Sequence, residues 1–139
     1  MRIITFTLLL AANICVICTV HAQSKADSLA GAWIPVKEYI GGKSLSNTTF
    51  EKQKLIITDS TYTVVAESVD KGVVKYNGNK MDIYGKRGAN AGKHFTAIYK
   101  LENGQLTICY NLKGDSYPDA FDTSGKPLFF LSVFKKETN

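Results

Sequence analysis

Past residue 22 this chain carries one cysteine, Cys109, and one histidine, His94. A thiol becomes a nucleophile when a neighbouring base takes its proton and a third group orients that base. Neither partner sits near Cys109, and its surroundings, Leu106-Thr-Ile-Cys-Tyr110, alternate as a strand does. Cys109 therefore reads as a structural residue, and no catalytic residue is assigned. A lone histidine is no metal site. Asp115, Asp119 and Asp122 offer the oxygen ligands that hard cations prefer, but their spacing matches no calcium-loop pattern. Neither a metal nor a cofactor is expected. Gly85-Lys-Arg-Gly-Ala-Asn-Ala-Gly-Lys93 has the composition of a phosphate loop without its spacing. Arg87 stands where the first glycine belongs, and His94 follows the lysine in place of Ser or Thr. A strand follows where a helix should. A mobile loop at the mouth of the fold is the expectation.

The bulk numbers narrow the classes of partner. The 139 residues have a formal charge of +5, but the lysines are scattered and only Lys86-Arg87 and Lys135-Lys136 are adjacent. A nucleic-acid surface concentrates basic residues in a stripe with aromatics between them. None is visible, and no nucleic-acid partner is expected. Residues 1–22 read as a secretory signal peptide: Met1-Arg2, an apolar run from Ile3 to Val20, and a cleavage site ending at Ala22. The expected domain is then residues 23–139, secreted or periplasmic, meeting a membrane only through the signal segment if it stays uncleaved. Cys15 and Cys18 leave with that segment, so Cys109 has no partner within the mature chain and the fold must hold without a disulfide.

The elements that would position any site are strands. Eight short runs rich in Val, Ile, Tyr, Phe and Thr recur with turn residues between them. They are Trp33–Ile40, Leu55–Thr58, Thr61–Val65, Val73–Tyr76, Lys80–Tyr84, Phe95–Glu102, Gln105–Asn111 and Leu128–Phe134. Two-residue turns at Asp59-Ser60, Gly78-Asn79 and Asn103-Gly104 set three hairpin registers. They place Ile57 opposite Tyr62, Tyr76 opposite Met81, and Tyr99 opposite Ile108. Cys109 then lies beside Ile98 on the face away from Ile108, the less buried face. Eight hairpin-linked strands can hide their edges by closing as an antiparallel up-and-down barrel. Thr48-Thr-Phe-Glu51 matches a capping box for a short helix that plugs one end. Residues 111–127 form a long stretch without periodicity.

The three registers turn fifteen side chains inward: Leu55, Ile57, Tyr62, Val64, Val74, Tyr76, Met81, Ile83, Phe95, Ala97, Tyr99, Leu101, Leu106, Ile108 and Tyr110. Four are tyrosines, whose hydroxyls need partners when buried. A few polar points around an apolar space is how small-ligand sites are built. The alternative is a solid core with the hydroxyls reaching out at the rims. Tyr62, Tyr76, Phe95, Tyr99 and Tyr110 are the candidate ligand-binding residues.

Gly31-Ala-Trp33 at the head of the first strand resembles the Gly-x-Trp of lipocalins, whose Trp packs across the closed end of the barrel. A basic residue of the last strand covers that Trp in lipocalins, and Lys135 is the nearest match here. The chain is similar, more closely, to small secreted bacterial lipocalin-like domains of unknown function. The matching pieces include Gly41-Gly-Lys43, Gly72-Val-Val-Lys-Tyr76, Met81-Asp-Ile83, Ile98-Tyr-Lys-Leu-Glu102, Leu106-Thr-Ile-Cys-Tyr110 and Pro118-Asp-Ala-Phe121. Tyr117 stands where that family tends to have Arg, so no role of that Arg carries over. The resemblance implies a barrel and a secreted location, with no established activity. The expected function is non-enzymatic binding of a small apolar or amphipathic ligand. The alternative is a protein-interaction module, such as an inhibitor of an exported hydrolase, using the 111–127 loop.

Overall fold

A computed structural model describes residues 29–138. The expected signal peptide, residues 1–22, lies outside the described residues. The strands are β1 (Gly31–Ile40), β2 (Lys43–Ser44), β3 (Lys54–Thr58), β4 (Thr61–Val65), β5 (Val69–Asn77), β6 (Lys80–Arg87), β7 (His94–Glu102), β8 (Gln105–Asn111) and β9 (Phe129–Lys136). A single helical turn, α1 (Asn47–Phe50), lies between β2 and β3. Among the described residues no helix is long and apolar enough to cross a membrane.

From β3 onward, each strand pairs antiparallel with the next, and β9 returns to pair with β1. Because β1 also pairs with β3, the sheet closes on itself and leaves no long free edge. The result is an all-β, eight-stranded, antiparallel up-and-down barrel, with β2 a two-residue spur on β1. The local signals act as expected. Leu55 faces Val64, Ile57 faces Tyr62, Val74 faces Ile83, Tyr76 faces Met81 and Tyr99 faces Ile108. At the last hairpin Asn103 and Gly104 both have positive φ, 51° and 74°, the backbone that a two-residue hairpin turn requires.

Up-and-down connection sorts the links between two ends. The tight hairpins at 59–60, 78–79 and 103–104 gather at one end, with the start of β1 and the finish of β9. The links 41–53, 66–68, 88–93 and 112–128 gather at the other, which forms the mouth. Trp33 seals the hairpin end, its Nε1 donating to Leu29 O at 2.8 Å. The cation over the Trp33 ring is Lys136, 5.5 Å from its centroid, not Lys135. Lys136 sits directly across from Trp33. Lys135 is one residue away, so strand alternation turns it to the other face.

The inner face of the barrel carries the main core, which includes Trp33, Ile57, Met81, Ala97, Leu106 and Ile108. Leu101, expected inside, is 41% exposed, because it sits at the hairpin end of β7 where the interior runs out. A second core lies outside the barrel, where Ile98, Cys109 and Leu131 are covered by Tyr117, Phe121 and Phe129. Cys109 is on the expected face but is 0% exposed. The segment between β8 and β9 folds back over that face and buries it. Its fastening is polar: Asn111 Nδ2 donates to Ser116 O at 2.9 Å and to Asp115 Oδ1 at 2.9 Å, and Thr96 Oγ1 also donates to Ser116 O. The capping box expected at Thr48–Glu51 does not form. The helix starts earlier, with Ser46 at its N-cap and no side chain bonded to a free backbone N–H.

Candidate functional site

The barrel does not fill completely. A cavity of about 540 Å3 opens at the mouth and runs into the barrel interior. It lies within the range typical of small-molecule sites. Apolar side chains from all eight barrel strands line it, among them Leu55, Val64, Ile83, Phe95, Ile108 and Phe134. Tyr62 is held there by a missing side chain. Gly72 faces it across the β4–β5 pair, and a Cβ at Gly72 would come within 2.5 Å of the Tyr62 ring. Tyr110 stands beside Phe130, ring centroids 5.6 Å apart, and both line the cavity. Burial pushes the Tyr110 hydroxyl well above its usual range, and the Glu38 charge adds to that.

Of the five expected site residues, the cavity gathers Tyr62, Phe95 and Tyr110. Tyr76 and Tyr99 do not line it. They pack edge to face at 6.0 Å towards the hairpin end, and Tyr99 Oη donates to Gly78 O at 3.3 Å in the β5–β6 turn. The Tyr76 hydroxyl is buried with no partner among the described residues, and its burial pushes it up to about 12.

The most unusual lining residue is Glu38, which the strand reading missed. Only 4% of it is exposed, yet it faces the cavity. Ser132, fully buried opposite it on β9, donates its Oγ–H to Glu38 Oε1 at 3.2 Å. Burial raises the carboxyl from its ordinary 4.5 to about 7, partly opposed by the Ser132 hydrogen bond. Between Pro35 and Lys37 the β1–β9 register shifts by a bulge at Val36. An extra residue reverses which side chains point inward beyond it. Trp33 and Pro35 face in before the bulge and Glu38 after it.

At the mouth, the 88–93 link is fastened rather than loose. Asn90 N and Nδ2 donate to the Asp70 carboxylate at 3.0 and 3.2 Å. Lys93 Nζ donates to Asn90 Oδ1 at 3.2 Å; towards the hairpin end Lys54 pairs with Glu137 at 2.7 Å.

A second cluster sits on the outer wall. Asp82 accepts from Tyr117 and contacts His94 Nε2 at 2.8 Å, and the His94 ring stacks on Tyr84 at 4.6 Å. The Tyr117 hydrogen bond is the main influence holding Asp82 below the usual carboxylate range. In the sequence Asp82 stood out within the piece Met81-Asp-Ile83. An Asp–His pair suits acid–base work when a nucleophile meets its free nitrogen. The described hydrogen bonds bring none to His94; the cluster ties Tyr117 of the 112–128 segment to β6 and β7. The three aspartates of that segment disperse: Asp115 pairs with Lys113, Asp119 with Lys126, and Asp122 accepts from Ser124 N. Among the described residues no group of three or more His, Cys, Asp or Glu stands close enough to hold a metal ion.

No family model matches the chain, and neither a curated protein nor a solved structure matches it.

Proposed function

We propose that this protein is an exported, non-enzymatic, lipocalin-like barrel that binds a small apolar or amphipathic ligand in its interior. The observation that supports it is the cavity of about 540 Å3, apolar on most of its wall and open at the end where the long links gather. A solid core would have filled that space, since interiors pack with few voids larger than a water molecule. The Gly31-Ala-Trp33 start, with Trp33 across the closed end and a cation over it, supports the lipocalin-like reading. An interaction role for residues 111–127 is the alternative. Its two aromatic anchors, Tyr117 and Phe121, pack on the barrel around Cys109, which leaves less of them to meet a partner.

The test is a titration of residues 23–139 with N-phenyl-1-naphthylamine, a neutral apolar fluorophore. The reading predicts saturable one-site binding, and a loss of at least tenfold in affinity when Val64→Trp fills the cavity without unfolding the barrel. Fluorescence that rises without saturating, or that Val64→Trp leaves unchanged, overturns it.

A further inference from the structure

Resting on that reading of the cavity, we infer that the ligand carries an ammonium or similar cationic head that docks on Glu38, with its apolar body along Leu55, Val64, Phe95 and Phe134. The argument is one of unmet charge. Glu38 is an acid 4% exposed, on the wall of an otherwise apolar space. The hydrogen bond the described residues give its carboxyl is a single one, from Ser132, on Oε1. Holding an ionised carboxylate there without a cation is costly, and a protein that needed only an apolar pocket gains nothing from it. A cationic head removes that penalty when it arrives, so the pair forms only with ligand present. An anionic head meets repulsion at the same point.

The neighbouring groups leave this role to Glu38. The ionisable group in reach of Glu38 is the hydroxyl of Tyr110 on β8, and Tyr62 on β4 lines the same cavity; each is held above its ordinary value, chiefly by burial. Both therefore stay neutral in the range where Glu38 titrates, near 7. Of the lysines lining the cavity, Lys54 is paired with Glu137, and Lys93 at the mouth donates to Asn90. Neither neutralises Glu38, whose raised value has no cation among its causes.

The experiment displaces bound N-phenyl-1-naphthylamine from residues 23–139 with n-octylammonium, n-octanol and n-octanoate, at pH 6 and pH 8. The three share one tail and differ in the head. At pH 8 octylammonium is expected to bind about tenfold or more tighter than octanol, the gain of one hydrogen-bonded charge pair, and octanoate weaker than octanol. The ratio of octylammonium to octanol affinity shrinks at pH 6, where Glu38 is protonated and the alkylammonium is still charged. In Glu38→Gln the ratio falls to about one. Should that variant not fold, the pH dependence in the wild type and the ratio in Glu38→Asp carry the same test. Equal affinity for octylammonium and octanol, a preference that survives in Glu38→Gln, or octanoate as the tightest binder overturns the inference and leaves the cavity reading standing. Failure of the fluorophore and all three octyl compounds to bind overturns the cavity reading, and the inference with it.

Discussion

At the scale of single residues, Glu38 is the position where stability and function compete. Its carboxyl is neutral-favouring in the folded barrel, near 7, and close to 4.5 when exposed. The folded state therefore holds a proton that the unfolded chain releases between those values. Its contribution to stability is fully present below about pH 4.5 and is lost as pH rises towards and past 7. A shift of that size corresponds to a loss of about 3 kcal/mol between the two limits. Urea unfolding at pH 5 and pH 8 measures most of it: the wild type should lose about 2.5 kcal/mol more than Glu38→Gln over that interval. Equal losses in both proteins would mean that Glu38 is already charged in the fold. The sequence concealed this residue for a geometric reason. Alternation counted from Trp33 points Lys37 inward and Glu38 outward, and only the bulge at Val36 reverses them. A bulge inserts one residue without a distinctive residue type to announce it. Tyr62, Phe95 and Tyr110 were legible as inward positions because their hairpins carry unambiguous turns. Tyr76 and Tyr99 were equally legible as inward, but alternation says nothing about depth along the barrel axis.

At the scale of elements, the contrast is between hairpins and the long link. A hairpin is decided by its own turn and facing side chains, so β3–β4, β5–β6 and β7–β8 could be read in register. The segment from Leu112 to Leu128 is decided by what it lands on, and those partners are far away in sequence. Tyr117 reaches Asp82, Thr123 Oγ1 accepts from Gly42 N at 3.0 Å, and Ser116 O accepts from Thr96. This landing is also what moves Cys109 from a less buried face into a closed one, and burial raises its thiol above the ordinary value. The link and the thiol can therefore be tested together. In Asn111→Ala the donors to Ser116 O and Asp115 are lost, and so is the acceptor for Lys113 N at 3.0 Å. That change should destabilise the protein by about 1–2 kcal/mol, from the lost hydrogen bonds of the buried Asn111 side chain. A thiol reagent should modify Cys109 in the native wild type only as slowly as the protein opens, and at least tenfold faster in Asn111→Ala. Rapid modification of the wild type would mean that the segment does not cover the thiol.

At the scale of the whole molecule, closure creates the cavity. β9 joins β1 across the full length of the described chain, so the sheet has an inside, and eight strands leave an interior that side chains nearly fill or that holds one small ligand. Barrel formation was legible from eight runs and their turns, since a meander of that length has few other ways to hide its edges. Whether the inside is filled was not, because volume depends on rotamers and strand tilt, which residue types do not report. The measurement that bears on this most directly is a map of amide and methyl chemical shifts as N-phenyl-1-naphthylamine is added to labelled protein. Shifts should concentrate at Leu55, Val64, Phe95, Ile108 and Phe134, spare the outer cluster of Ile98, Cys109 and Leu131, and saturate at one ligand per chain. Shifts centred on Tyr117 and Phe121 with the interior unmoved, or no saturating shifts at all, would contradict a ligand site inside the barrel.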